Sequence, residues 1–154
     1  MFYFAYGSNL DWEQMKERVP SVSFYGRAKL ENHRLDFTRK SINRNCGVAD
    51  IVEDNDHEVW GAIFRFDEQD LENLDRFEGY SPNRKNNDYK RIKKKVLLEG
   101  KKEKPMTVYT YEVVNKKLGK YLPNEHYKNL ILEGAKYWQL PEEYIDFLEK
   151  IKTA

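Results

Sequence analysis

The chain of 154 residues is long enough for one domain with its own hydrophobic core, and we expect residues 1–154 to form a single domain. Its 27 basic and 26 acidic residues give a formal net charge of +1, which argues against a protein dedicated to nucleic acid or to an anionic membrane. No apolar run approaches the roughly 20 residues of a membrane span, and the single cysteine, Cys46, excludes an intrachain disulfide and favours a cytoplasmic location.

The first half of the chain is predicted to consist mainly of strands. Phe2–Tyr6 is made of residues that suit a buried strand, and a Gly-Ser-Asn turn follows it. Asp11 then begins a short helix as its N-cap, with Gln14 in the position of a capping box, and Pro20 ends that helix. Further strands are expected over 22–30, 33–38, 47–52 and 58–66, the last two joined by a turn at 54–56.

The second half is predicted to combine one hairpin with three helices. Asp67 is the expected N-cap of a helix that stops at Gly79 and has an apolar repeat at three-residue steps, Leu71, Leu74 and Phe77. A strand pair follows over 89–98 and 106–113, and helices begin near Asn124 and at Pro141, the last burying Tyr144, Phe147, Leu148 and Ile151. Strands that dominate the first part of the chain and helices that close its C-terminal part indicate an α+β fold with a small mixed sheet or barrel.

The turn Tyr6-Gly7-Ser8-Asn9-Leu10 is the first candidate site. Glycine at a strand-to-helix junction permits positive φ or close approach of the backbone, and successive N–H groups there point into one concavity. Such a concavity suits a carboxylate or the oxyanion of an acyl transfer. We therefore expect these residues to bind a small anionic group, although a turn of this composition alone is a weak signal.

Glu78 is the second candidate, because it closes a helix where the negative end of the macrodipole disfavours a carboxylate. Its neighbours Phe77, Gly79 and Tyr80 are largely apolar, so that partial desolvation is expected. Both effects would raise the pKa of Glu78, which is what a general base working near neutrality needs.

Two segments carry opposite charge. Residues 50–78 hold eleven acidic and two basic residues, and residues 84–104 hold ten basic and three acidic ones. We interpret the basic segment as a solvated face, because it has too few aromatic side chains to stack the bases of an RNA. No pair of the scattered histidines His33, His57 and His126 has the spacing of metal ligands, so no metal site is predicted.

The run Phe2–Leu10 closely resembles the opening motif of the gamma-glutamyl cyclotransferase family. Leu74-Asp75 with Glu78-Gly79 is similar to the family's catalytic-glutamate segment. The other similar segments are Leu35-Asp36-Phe37, Gly47–Ile51, Glu58–Gly61, Pro123–Tyr127, Gly134-Ala135 and Leu140-Pro141 with Tyr144. The resemblance extends in order over nearly the whole chain.

The resemblance implies a small β-barrel flanked by helices, with a pocket between the Tyr6–Leu10 turn and Glu78. It implies an enzyme without metal or organic cofactor, in which the α-amine of a γ-glutamyl group attacks its own side-chain carbonyl and releases 5-oxoproline. Glu78 would be the catalytic acid/base, and Tyr109, Tyr89 and Tyr127 match positions that line or flank the pocket. The expected partner is a small γ-glutamyl compound, with no nucleic acid and no membrane, and a homodimer is one open alternative for the assembly.

Two departures from the family pattern leave the substrate open. Asn45-Cys46-Gly47 stands where relatives carry adjacent glycines, and the loop 81–88 is longer and more basic than expected. Because Cys46 has no partner nearby in the sequence, a buried inert thiol is favoured over a nucleophile. Alternatives to a γ-glutamyl amino acid are a γ-glutamylamine or a γ-glutamylated natural product. An alternative of another class is a non-catalytic module of the same fold that binds a small carboxylate.

Overall fold

The centre of the computed structural model, which describes residues 1–154, is a closed five-stranded barrel in the order β1-β3-β2-β4-β5. Its strands are β1 (Phe2–Ala5), β2 (Ser23–Ser41), β3 (Cys46–Arg65), β4 (Tyr89–Leu98) and β5 (Pro105–Val113). Neighbouring strands are antiparallel except β1 and β5, which are parallel and bring Tyr3 opposite Tyr109. The predicted α+β fold with a small mixed barrel is confirmed.

The long hairpin of β2 and β3 differs from the four separate strands predicted over this region. Each predicted pair is one continuous strand. Residues 54–57, which include the turn predicted at 54–56, form an excursion within β3 that has no partner on β2. The register shifts there, since Glu31 pairs with Glu58 whereas His33 pairs with Glu53. Asn32 at φ 61° provides the irregularity on β2. A β-bulge of this kind bends a strand without ending the ladder, which is why turn-like residues do not separate the strands.

Four helices flank the barrel: α1 (Trp12–Arg18), α2 (Leu71–Phe77), α3 (Glu125–Tyr137) and α4 (Glu142–Glu149). None of them is long and apolar enough to cross a membrane. The predicted cap of α1 is confirmed, because the Asp11 carboxylate accepts a hydrogen bond from the backbone N–H of Gln14. The Gln14 side chain does not complete a capping box and instead reaches Ser8 and Asn9.

Two details of the helix predictions are wrong. Asp67 makes no side-chain cap and precedes a short 3-10 turn, Glu68–Asp70, which leads into α2. Phe147 is 41% exposed, although it was expected on a buried face, and Phe77 of the apolar repeat is 57% exposed. Phe77 occupies the last turn of α2, where its ring stacks under the Arg18 guanidinium instead of entering the core.

The turn that follows β1 is fixed between the barrel and α3. Ser8–Leu10 forms a 3-10 turn, and a Cβ added to Gly134 of α3 would lie 2.6 Å from the Leu10 backbone. Trp138, at the end of α3, donates from Nε1 to the Leu10 carbonyl at 2.8 Å. This close packing sets the position of the Gly-Ser-Asn segment relative to the barrel.

Candidate active site

A small cavity of about 40 Å³ lies between the turn after β1 and the end of α2. Its lining residues are Tyr3, Tyr6, Gly7, Ser8, Asn9, Ala49, Glu78, Tyr89, Tyr111 and Tyr127. The structure therefore brings together the predicted turn, the predicted glutamate and two of the three predicted tyrosines, although these segments are far apart along the chain.

A larger concavity, of about 560 Å³, lies between the β2–β3 excursion and α4. It is a broad groove on the outer surface, and the acids and bases along it are mostly solvated. The smaller cavity is the better candidate for catalysis because several polar groups converge there around a buried carboxylate.

The predicted sites at Tyr109 and Leu10 do not line the cavity. The ring of Tyr109 lies beside the cationic ends of Arg91 and Lys93, one strand repeat away from Tyr111, which lines the cavity in its place. Both tyrosines lie on the same face of β5, so alternation along the strand gave no signal to choose between them. Leu10 is fully buried, and its amide already donates to the Gly7 carbonyl at 3.0 Å.

Glu78 lies immediately after α2, and Gly79 at φ 66° turns the chain away. Its Oε1 accepts a hydrogen bond from Asn9 Nδ2 at 3.0 Å, and Oε2 makes no hydrogen bond within the protein. The residue as a whole is half-buried, and burial of its carboxylate raises the pKa of Glu78 above its ordinary value, while the charges of Arg18 and Arg44 oppose that rise. The direction of this pKa shift agrees with the sequence-based prediction. Because Asn9 bonds only Oε1, Oε2 is free to accept a proton.

Asn9 connects Glu78 to the helix α1. Its side chain is 3% exposed and fully hydrogen-bonded, with Nδ2 donating to Tyr3 and Glu78. Its Oδ1 accepts from Gln14 Nε2 at 2.9 Å and from Arg18 Nη1 at 3.1 Å. Because every donor and acceptor of the Asn9 side chain is used, the amide holds the Glu78 carboxylate in one orientation.

The five tyrosine hydroxyls around the cavity divide into two groups. Three donate their proton within the protein: Tyr6 to the Tyr111 carbonyl, Tyr89 to the Ala49 carbonyl, and Tyr111 to Asp75. Two only accept: Tyr3 from Asn9 and Tyr127 from the Ala49 amide. A hydroxyl has one proton to donate, so Tyr3 and Tyr127 are the phenols that can donate to a bound ligand. Sequence reasoning missed Tyr3.

The turn that lines the cavity also has backbone N–H groups with no partner inside the turn. A short helix leaves its first amides without partners inside the helix, and Leu10 is the first residue of this turn to make a bond of that kind. Gly7 has φ −108°, so it is not in the left-handed region. Its role is close approach, because an added Cβ would lie 3.2 Å from the Ala49 side chain and 3.6 Å from the Tyr127 hydroxyl.

A second polar group stands behind the cavity wall. Asp75, 5% exposed, accepts hydrogen bonds from Tyr111 and from Arg91 Nη1, each at 2.5 Å. The aspartate lies one helical turn before Glu78. Its negative charge contributes to the raised pKa of Glu78, and the ion pair with Arg91 compensates that charge.

Cys46 and the basic segment lie outside this arrangement. Cys46 is buried at 4% exposure and does not line the cavity, in keeping with the predicted inert thiol. Of the segment 84–104, Lys90 pairs with Glu112 and Lys102 pairs with Glu31. The interpretation of the segment as a solvated face stays a prediction.

Known proteins are similar to this chain over most of its length. The profile of the AIG2-like family matches residues 58–148. A gamma-glutamylcyclotransferase from Bos taurus is 36% identical over 97% of this chain and 78% of its own length. One from Homo sapiens is 35% identical over the same shares. A solved structure described as gamma-glutamyl cyclotransferase superposes with a TM-score of 0.89 at 33% identity, covering 100% of this chain and 89% of that one.

Proposed function

The chain belongs to the gamma-glutamylcyclotransferase family, and we propose that Glu78 is the general acid/base of the cyclotransferase reaction in the cavity that it lines. The observation that carries this assignment is the free Oε2 of a buried carboxylate whose other oxygen is fixed by Asn9. A carboxylate with a raised pKa is matched to proton transfer near neutrality.

The reaction begins with proton removal from the α-ammonium group of the γ-glutamyl substrate by Glu78 Oε2. The freed amine nitrogen attacks the γ-carbonyl carbon of the same molecule, and a five-membered ring closes around a tetrahedral oxyanion. Glu78 returns its proton to the leaving nitrogen as the carbon–nitrogen bond to that nitrogen breaks. It then takes the second proton from the ring nitrogen and passes it to the released amine, which leaves as an ammonium ion. The products are 5-oxoproline and a free amine or amino acid.

The oxyanion is stabilised by the amides of the turn after β1. With the Leu10 amide committed to Gly7, the donors that remain are the amides of Gly7, Ser8 and Asn9. Loss of one donor of this kind typically costs about 10²–10³ in rate. Because nucleophile and carbonyl belong to one molecule, the protein mainly has to hold the curled conformer of the substrate, for which Tyr3 and Tyr127 supply free hydroxyl donors.

The cavity of about 40 Å³ holds only a few waters, since one water occupies about 10–15 Å³ in this measure. A γ-glutamyl group is larger, so side chains at the edge of the cavity have to move when it binds.

We further propose that the chain acts as a single domain, in the cytoplasm, on small γ-glutamyl compounds. Every proton and charge in the scheme is handled by this chain's own residues.

Incubation with a panel of γ-glutamyl amino acids, γ-glutamyl amines and related amides, with detection of 5-oxoproline, tests the proposal. We expect 5-oxoproline and the free amine in equal amounts. A protein that binds these compounds without forming 5-oxoproline would be the non-catalytic carboxylate-binding module, and the assignment of Glu78 would be wrong.

A further inference from the structure

Arginine side chains that are half-buried in this protein are normally paired with a carboxylate. Of six such arginines, four lie within 4 Å of an acidic side chain: Arg27 with Glu99, Arg34 with Asp36 and Asp54, Arg39 with Asp88, and Arg91 with Asp75. The two without such a partner are Arg18 and Arg44. Both lie close enough to Glu78 for their charges to lower its pKa.

The two unpaired guanidinium groups belong to one hydrogen-bonded chain at the edge of the cavity. Arg44 donates from Nη2 to Gln14 Oε1 at 2.9 Å, and the same Gln14 amide donates to Asn9 Oδ1, which also accepts from Arg18. Arg44 lies over the ring of Tyr127, 4.9 Å from its centroid. Tyr127 lines the cavity, so Arg44 packs on one of the residues that form the cavity wall.

Most of the donor capacity of Arg44 is unused. A guanidinium carries five N–H donors, and Arg44 makes one side-chain hydrogen bond. A half-buried cation without a counter-ion is costly, whereas a planar carboxylate fits the guanidinium fork with two parallel hydrogen bonds. The missing partner of Arg44 is therefore expected to be a carboxylate that arrives with a ligand.

The substrate of the proposed reaction has two ends at which a carboxylate could lie. The α-carboxylate of the substrate is bonded to the same carbon as the attacking amine. It therefore has to stay near Glu78, at the Asn9 and Arg18 end of the hydrogen-bonded chain. Arg44 is attached through Gln14, one side chain further from the base. We therefore assign Arg44 to the part of the substrate beyond the amide that is cleaved.

We propose that Arg44 binds a carboxylate on the leaving group and so selects γ-glutamyl compounds whose leaving amine is an amino acid over those whose leaving amine has no acid group. This inference rests on the proposed function and assigns to it a specificity-determining residue outside the turn and Glu78. The selection is electrostatic and directional, because a guanidinium–carboxylate pair needs the acid in one position.

The test compares γ-glutamylalanine with γ-glutamylethylamine, which differ only in the carboxylate, and measures 5-oxoproline formation. We expect the wild type to prefer γ-glutamylalanine by about 10- to 100-fold in kcat/KM, the value of a charge-assisted pair. Measured at a pH above the acidic limb of the profile, Arg44→Gln should bring the ratio of the two kcat/KM values close to one, mainly by raising KM for γ-glutamylalanine. Arg44→Lys should keep part of the preference.

Arg65→Gln is the matched control, because Arg65 is an exposed arginine that stacks on Phe2 away from the cavity. This substitution should leave kcat/KM for both compounds at the wild-type value. Equal kcat/KM for the two compounds with the wild type, or an equal loss on both with Arg44→Gln, overturns the role of Arg44 and leaves the proposed function intact. No 5-oxoproline from either compound with the wild type overturns the proposed function itself.

Discussion

Asn9 Nδ2 donates a hydrogen bond to Glu78 Oε1 at 3.0 Å and thereby ties the turn after β1 to the end of α2. The two residues are 69 positions apart in the chain and belong to the two segments that the sequence singles out. The contact divides the carboxylate into a fixed oxygen and a free one. The turn residues Gly7, Ser8 and Asn9 line the same cavity as Glu78.

Replacement of Glu78 by glutamine should abolish most of the activity without loss of the fold. The amide side chain retains the size of the glutamate and an oxygen that accepts from Asn9, but it cannot take the ammonium proton. Loss of a general base typically lowers turnover by about 10²–10⁴, which 5-oxoproline formation would measure. Glu72→Gln, on the exposed side of the same helix, is the control. Turnover by Glu78→Gln within a few-fold of wild type would remove Glu78 from the mechanism.

The same substitution should increase stability at neutral pH. The folded state holds the Glu78 proton more tightly than the unfolded chain, because the pKa of Glu78 is raised by burial. Stability is therefore lost as the pH rises from the ordinary glutamate pKa of 4.5 through the raised one. Thermal unfolding should give a higher Tm for Glu78→Gln than for wild type at pH 7, and the difference should vanish below pH about 4. A lower Tm at pH 7 would mean that the charge is stabilised in the fold.

The Tyr→Phe variants should differ according to whether the lost hydroxyl has a proton free for the substrate or already donated within the protein. Tyr3→Phe and Tyr127→Phe remove free donors and should lower kcat/KM by about 10- to 100-fold if the lost bond is to a charged group of the substrate. Tyr89→Phe removes a hydroxyl committed to the Ala49 carbonyl and should mainly cost stability, by about 1–3 kcal/mol. Steady-state kinetics and thermal unfolding of the three variants test this division. A loss of kcat/KM from Tyr89→Phe as large as that from Tyr127→Phe would contradict it.

The sequence was sufficient to predict the barrel, the turn and Glu78, because these rest on local patterns and on an ordered resemblance. It was not sufficient for Tyr3 and Tyr111. Their place in the cavity depends on the parallel register of β1 against β5 and on the position of α2. Those relationships are set by long-range pairing, which no local pattern records. The exposure of Phe77 could not be predicted for a related reason, because its stacking partner, Arg18, lies on a helix that is far away in the sequence.

Gly134→Ala tests whether packing of α3 holds the turn in place. In a helix, alanine is favoured over glycine by about 1 kcal/mol, so local preference predicts a more stable protein. The added Cβ would lie 2.6 Å from the Leu10 backbone, however, and overpacking of this kind costs about 1–3 kcal/mol. We expect no gain in Tm and a clear loss of kcat, because the turn that Leu10 ends is displaced. Glu133→Ala, exposed on the same helix, should have neither effect, and a fully active Gly134→Ala would show that the turn tolerates the shift.

Arg18 should set the lower pH limit of activity through its charge. A positive charge near Glu78 favours the ionised carboxylate and lowers its pKa. In Arg18→Gln that contribution is lost, so the pKa of Glu78 rises further and the base becomes protonated at a higher pH. The acidic limb of the kcat/KM profile should therefore move to higher pH, and the rate on the plateau should fall less than the rate on the limb.

Arg18→Lys keeps the charge and should leave the limb close to its wild-type position, although an ammonium group lacks the planar fork of the guanidinium. This pair of variants separates the charge of Arg18 from its hydrogen bond at 3.1 Å to Asn9 Oδ1. Arg18 lowers the pKa of Glu78 more strongly than Arg44 does. Arg44→Gln should therefore also move the acidic limb to higher pH, but by less than Arg18→Gln. A limb that stays fixed in Arg18→Gln would mean that the group titrating on the acidic side of the profile is not Glu78.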